Sequence, residues 1–155
     1  IHEQNRLYLT AAHCTDSPEL QGETVTAFGQ PIVVVYQSSP ESGLDLLVFR
    51  AAEGRPALHL SPRPLERGRQ LGSFGFGYGL PGGMFRTGYV SSLLVDGLGQ
   101  SFLWLDNALV PGMSGGPLVD DRGRLVGINQ QSDALTGVSA SVETLRAVVG
   151  PYFQP

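Results

Sequence analysis

The chain is predicted to be all-β, on three observations. Glycine and proline are abundant, at 21 and 11 of 155 residues, which suits many short strands joined by tight turns rather than a helical protein. Apolar residues come in runs of strand length bounded by Gly, Pro, Ser and Asp, and several alternate with polar ones. A helical period is found in one short stretch near the end, Val142 to Val149, closed by Gly150-Pro151.

In chain order, Arg6 to Thr10 reads as a strand that ends in small residues and delivers His13 to its tip. Cys14-Thr15-Asp16-Ser17-Pro18 is the turn after it, opening a helical turn. Glu23 to Phe28 alternates as a half-buried strand does, and Pro31 to Gln37 is a second, more apolar strand followed by the polar turn Ser38 to Gly43. In Leu44-Asp45-Leu46-Leu47-Val48-Phe49 one acidic residue interrupts an apolar strand. The stretch from Ala51 to Arg69 has no period and is rich in Pro, Arg and Glu, so it reads as a connector in which His59 is a packed linker residue. Strands resume at Gln70 to Phe76, then, past the Gly-rich turn Gly77 to Gly83, at Met84 to Leu94, Phe102 to Asp106, Pro117 to Val119, Arg124 to Asn129 and Gly137 to Ser141. Asp120-Asp121-Arg122-Gly123 has hairpin-turn chemistry. The division is an N-terminal β unit over residues 1–55, a connector over 56–69, and a second β unit with the helix over 70–155.

At 155 residues and 41% hydrophobic, the chain can bury the core of one domain or of two small packed barrels. A net charge of −4 with 10 basic residues and no basic stripe argues against nucleic acid as a main partner. The longest apolar runs fall short of a membrane span, and no signal peptide begins at Ile1. Gly75-Phe76-Gly77 with Gly79 is no nucleotide loop, since no strand-helix unit follows it.

The chemistry points to Gly112-Met113-Ser114-Gly115-Gly116-Pro117. A serine flanked by glycines sits on a turn where backbone N–H groups can converge on one point, which is how an oxyanion hole is built. A serine hydroxyl is a weak nucleophile, so it needs a histidine base and a carboxylate to orient that base. The histidines are His2, His13 and His59, all upstream of Ser114. That order rules out the α/β-hydrolase elbow, which runs Ser, acid, His. It also rules out the subtilisin order, because no aspartate precedes His13. His, Asp, Ser survives. Asp45 is the best acid: a carboxylate at the start of a buried strand must be paired to be tolerated. Asp16 lies too close to His13 in sequence, and Asp96, Asp106, Asp120 and Asp121 lie in the second half. The plain alternative is that Asp45 only caps the strand.

Thr10-Ala11-Ala12-His13-Cys14 taken with Gly112-Met113-Ser114-Gly115-Gly116-Pro117 resembles the chymotrypsin-fold, trypsin-like serine proteases. The segments Gly79-Leu80-Pro81-Gly82, Thr87-Gly88-Tyr89-Val90-Ser91 and Gly123-Arg124-Leu125-Val126-Gly127-Ile128 look most like short bacterial and phage members related to the high-temperature-requirement proteases. The resemblance implies two packed six-stranded antiparallel β-barrels, the first incomplete in this chain because one strand precedes His13 where the family has more. An upstream fragment or a second chain would then fill the gap. It implies serine endopeptidase activity on a polypeptide substrate, with His13, Asp45 and Ser114 as the triad. The oxyanion hole would be the N–H groups of Gly112 and Ser114, with Met113 as a lesser contributor. No metal or cofactor is implied, and a secreted or periplasmic location is favoured. Animal family members pair the cysteine at Cys14 with an upstream one that here falls before Ile1, which leaves Cys14 a buried free thiol or a residue without its partner. Met113 stands where the digestive enzymes carry an aspartate that pairs with a cut N-terminus, so Ile1 is not expected to be an activation terminus.

The same resemblance places the floor of the primary pocket at Ala108 and its walls at the strand through Asn129, Gln130, Gln131 and Ser132 and at the segment Gly137-Val138-Ser139. With no carboxylate at the floor, small to medium apolar side chains are the expected P1 residues, unless Asp106 or Asp133 reaches in. Two other readings stay open: an inactive protease-fold binding or scaffold module, and a polyprotein-processing protease with one dedicated partner.

Overall fold

The computed structural model describes residues 6–15, 24–63, 65–107, 109–132 and 136–153. Six strands of the second half close into an antiparallel barrel in the order β10-β11-β8-β7-β6-β9. These are β6 (Gln70–Gly75), β7 (Met84–Val95), β8 (Ser101–Leu105), β9 (Pro117–Val119), β10 (Leu125–Ser132) and β11 (Gly137–Ser141). Closure removes the unpaired edges that an open sheet would expose. Leu71, Val90, Leu103, Leu105, Leu118 and Val126 fill one cluster with Leu65 and Val142. The helix α1 (Val142–Val148) follows directly, and its Ser141 N-cap accepts a hydrogen bond from the Thr144 N–H.

The N-terminal half, expected as an incomplete barrel, forms among the described residues a three-stranded sheet and a two-stranded hairpin. The sheet runs β1-β5-β4, with β1 at Leu7–Thr10, β4 at Val33–Gln37 and β5 at Leu47–Arg50; the hairpin pairs β2 (Thr26–Ala27) with β3 (Gln30–Pro31). The fold therefore has one closed six-stranded barrel beside a smaller open β unit. The strand expected over Glu23 to Phe28 reduces to Thr26–Ala27, because Phe28 and Gly29 both take positive φ (54° and 72°) and turn the chain straight back. The strand expected over Pro31 to Gln37 is interrupted at Ile32, whose N–H donates to the Val25 carbonyl at 3.2 Å: the chain before it pairs in the hairpin and the chain after it in the sheet. Its second piece, β4, is a sheet edge whose Val33 and Val34 are exposed rather than buried.

A second apolar cluster joins the two halves. Leu44, Leu46 and Val48 pack with Ile128 and Ala140 of the barrel and with Leu145 and Val149 at the helix end. Leu44 and Leu46 flank Asp45, so burial of its two neighbours fixes where that carboxylate can point. His59, expected as a packed residue, is exposed and meets the barrel through its backbone, its carbonyl accepting the Leu125 N–H at 2.8 Å.

Candidate active site

The register of one strand pair brings His13 and Asp45 together. β1 and β5 are antiparallel with Thr10, the last residue of β1, opposite Leu47, the first of β5. Chain leaving β1 and chain entering β5 therefore emerge side by side at one end of the sheet. His13 sits in the single 3-10 turn that follows (Ala12–Cys14), and Asp45 in the extended segment ahead of β5. Asp45 Oδ1 accepts the His13 backbone N–H at 2.8 Å, and Oδ2 pairs with the ring Nδ1. With Nδ1 bound to a carboxylate, Nδ1 carries the proton and Nε2 is left as an acceptor, the state a general base needs. The His13 side chain is 54% exposed, so the ring is open to an incoming molecule.

Ser114 is carried on a turn held to the same segment. Gly115, at φ +76°, lies so close that a Cβ there would fall 2.1 Å from Thr10 Oγ1 and 2.7 Å from the Ala11 nitrogen. Only glycine allows that approach. The Cys14 thiol reaches the Ser114 carbonyl at 3.8 Å. The residue is exposed and the thiol free, not buried as one expectation had it. Desolvation raises the pKa of this thiol and the Asp45 charge adds to the rise, against hydrogen bonds to Thr10 and Ala11 that lower it.

The Ser114 hydroxyl donates to the Gln130 carbonyl at 3.3 Å, and among the described residues no hydrogen bond links it to His13. Gln130 offers that carbonyl because it is the extra residue of a β-bulge: Asn129 pairs with Ser139 and Gln131 with Val138, leaving Gln130 outside the ladder. Its side chain is buried, and Nε2 has no hydrogen-bond partner among the described residues.

The backbone around Ser114 is oriented by its carbonyls. The Tyr78 N–H donates to the Pro111 carbonyl at 2.7 Å, and the Gly116 N–H to the Met113 carbonyl at 3.1 Å. In a planar trans peptide the C=O and the following N–H point opposite ways. Fixing those two carbonyls thus turns the N–H groups of Gly112 and Ser114 to the other face. The Met113 N–H is occupied, donating to the Val110 carbonyl at 3.1 Å. Gly112 has φ +93°, and a Cβ there would meet the Phe76 carbonyl oxygen at 2.4 Å.

Of the residues expected to line a pocket, Ala108 and Asp133 lie outside the described residues, and Ser132 is placed as the end of β10. Gln131 is exposed. Gly137 is buried with its open side against the Asn107 carbonyl and Leu109, where a Cβ would stand 2.8 and 2.9 Å away. Ser139 is buried and gives its hydroxyl to Asn129 Oδ1 at 3.1 Å. Asp106 accepts the Tyr89 N–H at 2.7 Å. Sequence reasoning placed Asn129 only on the strand expected to wall the pocket and missed that it binds the nucleophile turn from below. An amide closing the apolar run Leu125-Val126-Gly127-Ile128 was the available signal, since a buried amide requires partners.

These features define a chymotrypsin-like serine protease fold of the HtrA type. The chain belongs to the trypsin-like peptidase domain family, whose profile matches residues 1–128. It is similar to the curated Synechocystis protein HhoA, described as a serine protease, with 31% identity over 112 residues, 63% of this chain and 28% of that protein. Among solved structures it is similar to the HtrA-type protease AlgW with a decapeptide, at a TM-score of 0.75 and 26% identity, over 99% of this chain and 50% of that one. A serine endoprotease from Yersinia pestis shares the fold at a TM-score of 0.75 and 23% identity, over 99% of this chain and 56% of that one. The chain thus spans 28% of the curated relative and about half the length of these solved chains.

Proposed function

We propose that this domain is a serine endopeptidase acting on polypeptides. Ser114 Oγ attacks the scissile carbonyl, His13 Nε2 takes its proton and returns it to the leaving amine, and Asp45 fixes the ring tautomer and stabilises its charged form. The N–H groups of Gly112 and Ser114 receive the oxyanion; Met113, whose N–H is already engaged, is the lesser contributor. The single observation that carries the reading is the two-point contact of Asp45 with His13, beside a serine turn packed on the same Thr10-Ala11 segment. In the reacting state the Ser114 hydroxyl leaves the Gln130 carbonyl for His13.

The P1 preference is for small to medium apolar residues. Leu109 against Gly137 supports a short apolar slot, and the Asp106 carboxylate, engaged by Tyr89, supports an uncharged one. A lysine or arginine there would bury its charge without a partner. The β1-β5-β4 sheet ends in two edge strands, which supports completion of the N-terminal β unit by a further segment, either upstream or from a second chain.

Labelling with a fluorophosphonate tests the assignment. Stoichiometric modification of Ser114, absent in Ser114→Ala and matched by peptide hydrolysis, is the expected result. A chain that neither labels nor hydrolyses any peptide of an apolar-P1 library overturns it.

A further inference from the structure

Beneath the Ser114 turn, beside the aliphatic side chains that fill most of the barrel, lies a buried polar cluster. At its centre is Asn129, fully buried on β10. Its backbone N–H donates to the Gly116 carbonyl at 3.0 Å, and its carbonyl accepts the Gly115 N–H at 2.7 Å. Its side-chain Nδ2 donates to the Met113 carbonyl at 3.4 Å, while Oδ1 accepts the hydroxyls of Ser139 at 3.1 Å and Ser73 at 3.3 Å. One residue thus holds Met113, Gly115 and Gly116, on both sides of the nucleophile. The amide orientation is dictated by its partners, because a carbonyl only accepts and so must face Nδ2, leaving Oδ1 for the two hydroxyls.

We propose that Asn129 is a positioning residue of the active site: it shares the Met113 carbonyl with the Gly116 N–H, whose own carbonyl it also holds, and so keeps the Met113 carbonyl inward and the Ser114 N–H turned toward the substrate. The inference rests on the serine endopeptidase reading. The Met113 carbonyl and the Ser114 N–H belong to one planar peptide, so drawing the first toward the interior aims the second outward. Ser73 and Ser139 act one step back, fixing the amide that does the holding. An oxyanion donor works only if it is already aimed where charge develops, so loss of the anchor is felt in the transition state and little in the ground state. The Gly112 N–H hangs on a separate anchor, Tyr78, and is independent of Asn129.

Asn129→Asp is the decisive substitution, since it keeps the shape and places a carboxylate oxygen against the Met113 carbonyl. The expected result is a fall in kcat of roughly tenfold to hundredfold with KM nearly unchanged. In the backbone NMR spectrum the Ser114 amide resonance should move while that of Gly112 stays. Should the buried carboxylate prevent folding, Ser73→Ala decides, with an expected severalfold loss in kcat and the same displaced Ser114 resonance. Wild-type kcat and an unmoved Ser114 amide in the folded variant overturn the inference while the wild type still cleaves peptide. An inert wild type overturns the endopeptidase reading and this inference with it.

Discussion

Both oxygens of the Asp45 carboxylate are committed to one residue, His13: Oδ1 to its backbone N–H at 2.8 Å and Oδ2 to its ring Nδ1. Asn in place of Asp can keep only one of these as an acceptor. If its carbonyl stays on the backbone N–H, its NH2 group faces Nδ1 and stabilises the tautomer in which Nε2 carries the proton, which is useless as a base. Asp45→Asn is therefore expected to fold normally and to lose about a thousandfold to ten-thousandfold in kcat. A loss below tenfold, measured beside Ser114→Ala as the zero, would mean that Asp45 only caps the strand.

Cys14 is the sole cysteine, and the shift of its thiol has a definite sign. A raised pKa means less thiolate at any given pH, and the thiolate is the reactive form. Alkylation by iodoacetamide at pH 7.5 should run more slowly than for free cysteine and accelerate as the solution is made more alkaline. Because the sulfur touches the Ser114 carbonyl, the alkylated protein should also label more slowly with fluorophosphonate. Mass spectrometry of the adduct against time measures both, and alkylation faster than that of the free amino acid would contradict the expected environment.

Acid stability should depend on Asp120 in the hairpin turn between β9 and β10. Burial works to raise its pKa, but the N–H groups of Arg124 and Arg122, the Ser61 hydroxyl and the Arg69 guanidinium together outweigh it and hold the carboxyl below its ordinary range. A depressed folded value stabilises the protein in full above the unfolded value of about 4, and that contribution is lost as pH falls from there through the folded value. Asp120→Asn should lower Tm near neutrality and narrow its gap to the wild type as the solution is acidified below that point. A gap constant across the acid limb would place the stabilisation elsewhere.

The parts of the fold legible in the sequence were those governed by local period and chain order. β6, β7, β8, β9 and β11 lie within a residue or so of their expected positions, because apolar runs of strand length bounded by Gly, Pro, Ser and Asp leave little choice. His13 and Asp45 were legible as a pair because the His, Asp, Ser order excluded the other hydrolase arrangements. The N-terminal strands were less so: a two-residue turn at Phe28-Gly29 ends one expected strand at Ala27, and the next is divided at Ile32 between the hairpin and the three-stranded sheet. Least legible was what lies under Ser114. That the hydroxyl meets Gln130, and that Asn129 grips the turn, depends on a bulge between Asn129 and Gln131, where one unpaired residue re-aims its neighbours and leaves no mark in the hydrophobic pattern.

The same bulge leaves Gln130 with a buried side-chain nitrogen that has no partner among the described residues, while its backbone carbonyl holds the Ser114 hydroxyl. These two features separate under mutation, because the carbonyl survives any side-chain change. A buried donor left unsatisfied costs about 1–3 kcal/mol, so an apolar side chain of the same length should relieve that cost. Gln130→Met is the nearest match in shape, and Met adapts to irregular surroundings. The expected outcome is a Tm higher by roughly 2–12 °C, taking 2–4 °C per kcal/mol for a chain of this size. Fluorophosphonate labelling should continue at the wild-type rate. Calorimetry of the two proteins checks it. A lower Tm would mean that the amide is satisfied in solution, and slower labelling would mean that the side chain, and not only the carbonyl, serves the nucleophile.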